Sequence, residues 1–98
     1  MLINKLEKNR PFIISGPCSA ESEQQVLRTA NAIKSIVDVF RAGLWKPRTK
    51  PTNFEGVGEK GLKWLNKVQK ELGIKVCTEV ATPKHVDICL KSKIDMLW

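Results

Sequence analysis

Apolar runs alternate with amphipathic stretches along this chain, and that alternation limits its fold more than any other feature. "PFIISG" is a short apolar run closed by Gly16-Pro17, which suits a strand buried on both faces. "SEQQVLRTANAIKSI" follows as a helix. Ser22 and Gln25 have capping-box spacing, and Val26, Ala30, Ile33 and Val37 recur along one face. "VDVFRAG" is a second strand. "EKGLKWLNKVQKELG" is a second helix, with Leu62, Leu65, Val68 and Leu72 as its apolar stripe and Gly73 as its stop. "IKVCTEV" is a third strand. Thr82-Pro83 then matches a cap followed by a proline at the first helical position, opening "KHVDICLKSK", and "IDMLW" begins a fourth strand. The order β-α-β-α-β-α-β implies parallel strands joined by right-handed crossovers, in a Rossmann-type sheet or a (β/α)8 barrel.

Composition narrows the setting. A chain of 98 residues makes one domain at most, and a hydrophobic fraction of 42% is that of a globular protein. The apolar runs are far too short to span a membrane, and "MLINKLEKNR" lacks the apolar core of a signal peptide. Three cysteines without a CxxC pair suit reduced thiols in a cytoplasm rather than a disulfide framework. The formal charge of +7 favours anionic partners without choosing among them. A fourth strand with no covering helix reads as part of something longer, so residues 1–98 are expected to be a partial barrel domain.

In either architecture, chemistry collects at the carboxyl ends of the strands. There this chain carries Gly16 to Ser19, the basic loop "FRAGLWKPRTK", and Glu79 to Thr82, and the three clusters should share one face. The basic loop has three possible partners. Nucleic acid would use Trp45 and Phe54 as stacking platforms, but Lys60, Lys63, Lys67 and Lys70 read more simply as a solvated helix face. A dinucleotide would use Gly56-Val57-Gly58-Glu59-Lys60-Gly61, a GxGxxG match that opens a helix. In that fingerprint, however, the glycines follow the strand at once, and here the basic loop intervenes. The third partner is a small substrate with several anionic groups. Arginine grips carboxylate or phosphate as a fork, lysine acts as a point charge, and Pro47 stiffens the backbone between Lys46 and Arg48.

"GPCSAES" after the first strand, together with "FRAGLWKPRTKP" after the second, resembles 3-deoxy-7-phosphoheptulonate synthase (DAHP synthase), in its compact form without a long N-terminal regulatory extension. The resemblance runs from Pro11 to Trp98. It implies the N-terminal half of a (β/α)8 barrel and a transferase that condenses phosphoenolpyruvate with erythrose 4-phosphate at the head of the shikimate pathway. The related 3-deoxy-manno-octulosonate 8-phosphate synthases share the barrel and phosphoenolpyruvate. Their pattern has a KANRS-type segment where this chain has Lys46-Pro47-Arg48-Thr49.

Residue by residue, the resemblance implies that Cys18 is a ligand of a divalent metal, manganese, iron, cobalt or zinc. Arg41 and Lys46 match the positions that contact phosphoenolpyruvate. Arg48 and Thr49 match those that receive erythrose 4-phosphate, with Pro47 shaping the approach. Glu79 matches an active-site glutamate near the reacting centre, and Lys46 counts with it as catalytic. The family's other metal ligands lie in later strands, so residues 1–98 alone should be inactive; the intact protein should be a cytoplasmic homo-oligomer. Cys77 and Cys89 read as small buried hydrophobes. His85 reads as surface or local capping, and Trp45, Trp64 and Trp98 as packing residues, with Trp45 also able to shape the substrate loop.

Overall fold

A computed structural model describes residues 11–45 and 56–98. Its elements are β1 (Ile14–Ser15), α1 (Glu23–Ile33), β2 (Val39–Arg41), a short 3-10 turn (Gly58–Lys60) running into α2 (Gly61–Leu72), β3 (Lys75–Thr78), α3 (Pro83–Lys91) and β4 (Met96–Leu97). All four strands are parallel and lie side by side in chain order, β1-β2-β3-β4. Strand order equal to chain order means that the sheet winds in one direction, as in a barrel wall. A Rossmann sheet reverses direction at its switch point.

The helix boundaries follow from local chemistry. Ser22 Oγ accepts from the Gln25 amide at 3.0 Å, and the Gln25 side chain reaches back to the Glu21 amide at 2.7 Å. Thr82 Oγ1 likewise accepts from the His85 amide, with Pro83 in the first turn behind it. Gly73 ends α2 in the left-handed conformation, its amide returning to the Gln69 carbonyl. α1 stops at Ile33, earlier than the apolar spacing suggests. Val37 sits in the following turn, where its amide still reaches the Ile33 carbonyl and its side chain is buried.

Strand alternation sorts the side chains. Phe40 and Val76 pair in register and face the helices, where they join Val26, Ala30, Leu44, Leu62, Leu65 and Val68 in the core. The opposite face carries Ile14, Val39, Arg41, Cys77 and Met96, linked by the registers Ile14 to Val39, Arg41 to Cys77 and Cys77 to Met96. That face turns inward in a closed barrel.

The expectation of a first strand buried on both faces is corrected here. β1 is only two residues long, both exposed, with Ile14 at 43%. It lies at the edge of the sheet with β2 as its neighbour, so its outer edge and its concave side have no covering element among the described residues.

Two aspartates repeat one device at the amino-terminal end of the sheet. Asp38, just before β2, accepts from the Ile13 amide at 2.8 Å, and Asp95, just before β4, accepts from the Val76 amide at 2.9 Å. Each carboxylate therefore ties the start of its own strand to an earlier one. Asp95 also accepts from the Gln69 side chain, which draws α2 into the same knot.

Thr78 is fully buried, and its Oγ1 has no hydrogen-bond partner among the described residues. An unsatisfied buried hydroxyl costs about 1–3 kcal/mol, whereas an apolar group of the same shape costs nothing comparable. Thr78→Val is expected to raise the urea midpoint of unfolding, by about 1 kcal/mol in stability at unchanged m-value. A lowered midpoint would mean that the hydroxyl has a partner after all.

Candidate functional site

The carboxyl ends of β1, β2 and β3 are drawn together by backbone contacts around Gly43. The Ala20 amide donates to the Gly43 carbonyl at 2.8 Å, the Gly43 amide points to the Pro17 carbonyl at 3.4 Å, and the Ala42 amide donates to the Cys77 carbonyl at 3.1 Å. There is no room for a side chain at this crossing. A Cβ on Gly43 would collide with the Cys18 carbonyl and lie 2.7 Å from Glu79 Oε1. Cys18 and Glu79 thus meet across Gly43, although they belong to different loops.

Arg41 closes β2 on the same end. Its Nε donates to the Gly16 carbonyl at 3.2 Å, and its guanidinium lies over the Trp98 ring, 5.7 Å from the centroid. This is cation-π range. Ile14, Arg41, Cys77, Met96 and Trp98 line a cleft of about 260 Å³ on the concave face. A larger hollow, about 460 Å³, opens between α1 and α2 on the far side of the sheet, away from these groups.

Of the residues the sequence points to, Cys18, Arg41 and Glu79 are brought to one end of the sheet. Lys46, Pro47, Arg48 and Thr49 lie outside the described residues. In the chain they follow Trp45, the last described residue before them. The glycine run from Gly56 to Gly61 does not follow a strand. It passes through the 3-10 turn into α2, with the Gly58 amide donating to the Leu44 carbonyl at 2.8 Å and Gly61 seated against Leu44 and Val57. That packing accounts for the glycines without a pyrophosphate. Lys60, Lys63, Lys67 and Lys70 are exposed, as a solvated face requires, and Lys67 pairs with Glu23 of α1 at 3.0 Å.

The three cysteines are reduced thiols, Cys18 exposed and Cys77 and Cys89 buried. Burial pushes the Cys77 thiol up to about 11, partly offset by the positive charge of Arg41, and burial raises Cys89 as well. A resident divalent metal takes at least three protein donors at a catalytic site. Cys18 offers one, but among the described residues no group of three His, Cys, Asp or Glu side chains could hold a metal ion. These residues alone do not form a metal centre, and Cys18 would need donors from outside them.

Two contacts were not legible in the sequence. Trp98 serves as a platform for Arg41, and His85 stacks on Trp45 with ring centroids 4.0 Å apart and planes at 11°. Both join residues from different βα units, and no local periodicity announces such pairs.

Fold and site together define a βα-barrel protein that gathers a thiol, a carboxylate and arginine at the carboxyl end of a parallel sheet. The family model for the DAHP synthetase I family matches residues 3–96, and the chain belongs to that family. It is similar to a phospho-2-dehydro-3-deoxyheptonate aldolase of Thermotoga maritima, 44% identical over 68 residues, which is 68% of this chain and 20% of the relative. The crystal structure of the Thermotoga maritima phospho-2-dehydro-3-deoxyheptonate aldolase (DAHP synthase) superimposes with a TM-score of 0.77 at 35% identity, covering 88% of this chain and 25% of that one. A 2-dehydro-3-deoxyphosphooctonate aldolase of Variovorax paradoxus is 43% identical over 83 residues, 76% of this chain and 29% of the relative. The chain therefore spans less than a third of the length of these proteins. Among the described residues, no helix is long and apolar enough to cross a membrane.

The different settings of the cysteines predict a graded reactivity. Iodoacetamide at mildly alkaline pH is expected to label Cys18 in the folded protein and to reach Cys77 and Cys89 only after unfolding, read by peptide mass spectrometry. Cys77 also predicts a pH effect. Between its ordinary value of 9.0 and about 11, the unfolded chain loses the proton while the folded chain keeps it. Stability should therefore fall as pH rises through that window, and Cys77→Ser should flatten the fall. Equal labelling of all three cysteines in the folded protein would contradict the burial.

Proposed function

We propose that a full-length protein carrying this sequence is a DAHP synthase, joining phosphoenolpyruvate to erythrose 4-phosphate. The observation that carries this reading is the meeting of Cys18, Arg41 and Glu79 at one end of the sheet; Lys46-Pro47-Arg48-Thr49 follows Trp45 in the sequence. Residues 1–98 contribute part of a single barrel domain. The reduced thiols fit a cytoplasmic enzyme, and the whole protein is taken to be a homo-oligomer.

The chemistry asks for what these residues supply. Both substrates are anionic, so cations must offset their repulsion as they approach. Arg41 and Lys46 hold phosphoenolpyruvate, chiefly at its carboxylate. Arg48 and Thr49 receive erythrose 4-phosphate, with Pro47 shaping the approach. Carbon 3 of phosphoenolpyruvate forms a bond to the aldehyde carbon, the carbonyl oxygen takes a proton, and water adds at carbon 2. The bond from carbon 2 to the phosphate oxygen then breaks, and inorganic phosphate leaves. Glu79, half-buried beside Gly43, stands near the reacting centre, where a carboxylate can accept or return a proton. Cys18 contributes one donor to a divalent metal (manganese, iron, cobalt or zinc), the other donors coming from outside the described residues.

A second reading is 3-deoxy-manno-octulosonate 8-phosphate synthase, because relatives named 2-dehydro-3-deoxyphosphooctonate aldolase match at 37–43% identity. The Lys46-Pro47-Arg48-Thr49 segment favours the four-carbon sugar.

The test follows the ultraviolet absorbance of phosphoenolpyruvate in the full-length protein, with erythrose 4-phosphate and then arabinose 5-phosphate, with chelator and with added manganese. Metal-dependent loss of absorbance with the four-carbon sugar is expected, and Cys18→Ala should abolish it. Turnover with the five-carbon sugar alone would transfer the protein to the second reading.

A further inference from the structure

We infer that Trp98 is a positioning residue for Arg41, and that its indole face sets the affinity for phosphoenolpyruvate. The inference rests on the reading given under Proposed function and adds a residue to it. Arg41 ends β2 and Trp98 directly follows β4, so β3 lies between them. Neighbouring strands run about 4.8 Å apart, and side chains separated by a whole strand meet only when both are long. Cys77 is the residue of β3 in register with Arg41 and with Met96. It is small and fully buried. The guanidinium and the indole meet on its side of the sheet, around the cleft that all three residues line.

The backbone of Trp98 is held in place. Its amide donates to the Thr78 carbonyl at 3.2 Å, and its carbonyl accepts from the Val80 amide at 2.9 Å. These two bonds fall on either side of Glu79. One residue therefore grips the strand end that carries Glu79 through its backbone, and the guanidinium of Arg41 through its side chain.

The ring does for Arg41 what a carboxylate could not. Half-buried Arg41 gives its Nε to the Gly16 carbonyl at 3.2 Å and lies over the indole, 5.7 Å from the centroid. The first contact fixes one edge of the planar group, and the second fixes its face. Both partners are neutral, and among the described residues no carboxylate pairs with Arg41. A carboxylate would occupy the N–H fork and cancel the charge that an anionic substrate needs. An indole attracts the cation through its quadrupole and holds the plane without using the N–H edge. Core packing does not account for the indole, because Trp98 is 49% exposed and lies outside the buried cluster. A mobile arginine loses rotamer freedom when it binds, and one already held on a platform has less to lose. That difference appears in affinity rather than in turnover.

The experiment compares wild type, Trp98→Leu, Trp98→Met and Trp98→Phe in the full-length protein, measuring KM and kcat for phosphoenolpyruvate and for the sugar phosphate, together with Tm. Leu and Met fill apolar space without a π face, and Met serves where Leu prevents folding. Both are expected to raise KM for phosphoenolpyruvate about 3- to 10-fold, with kcat and KM for the sugar phosphate changed far less. Trp98→Phe, which keeps a ring face, should recover most of that loss. Unchanged KM in the Leu and Met variants would overturn the inference. So would a Phe variant as weak as they are, or an equal loss for both substrates, because either result reduces Trp98 to general packing. Absence of turnover in wild type would instead overturn the functional reading, so the two failures are distinguishable.

Discussion

The crossing at Gly43 is the constraint on which the site depends. Three strand ends approach so closely there that the Cys18 carbonyl and the Glu79 carboxylate occupy the volume a side chain would need. Backbone bonds from Ala20 to Gly43 and from Ala42 to Cys77 hold the approach. Parallel strands in chain order make such a crossing possible, because every strand points its carboxyl end the same way. The chemistry of three separate loops is thereby concentrated on one spot.

The two ends of the sheet divide their work. At the amino-terminal end, Asp38 and Asp95 spend their carboxylates on backbone amides of earlier strands, which secures register. At the carboxyl end, Arg41 donates its Nε to the Gly16 carbonyl and lines the cleft beside Trp98. Between the ends, the helix-facing side of the sheet is filled by Phe40, Val76 and the stripes of α1 and α2, while the opposite side keeps Arg41 and Cys77. A buried thiol beside an arginine stays protonated because burial outweighs the nearby charge.

Much of this was legible in the sequence because it is written in local spacing. The Ser22 and Thr82 caps, the stop at Gly73 and the apolar stripe of α2 all formed where short-range rules put them. The convergence of Cys18, Arg41 and Glu79 followed from the parallel topology. What spacing did not carry were contacts between distant units. The exposure of β1 depends on what lies beside it, the early end of α1 on how Val37 is buried after the turn that follows the helix, and the Trp45–His85 and Arg41–Trp98 pairs on how separate βα units pack. Lys46, Pro47, Arg48 and Thr49 fall outside the described residues, so that motif stands on sequence.

The most direct measurement is a calorimetric titration of phosphoenolpyruvate into the full-length protein and into its Gly43→Ala variant, with circular dichroism to verify folding. A single methyl group at the crossing should push Cys18 and Glu79 apart and weaken binding by at least about tenfold, on the order of 1.4 kcal/mol, while the secondary structure persists. Undiminished binding in a folded Gly43→Ala protein would contradict the account, because the three loops would then not need to meet there.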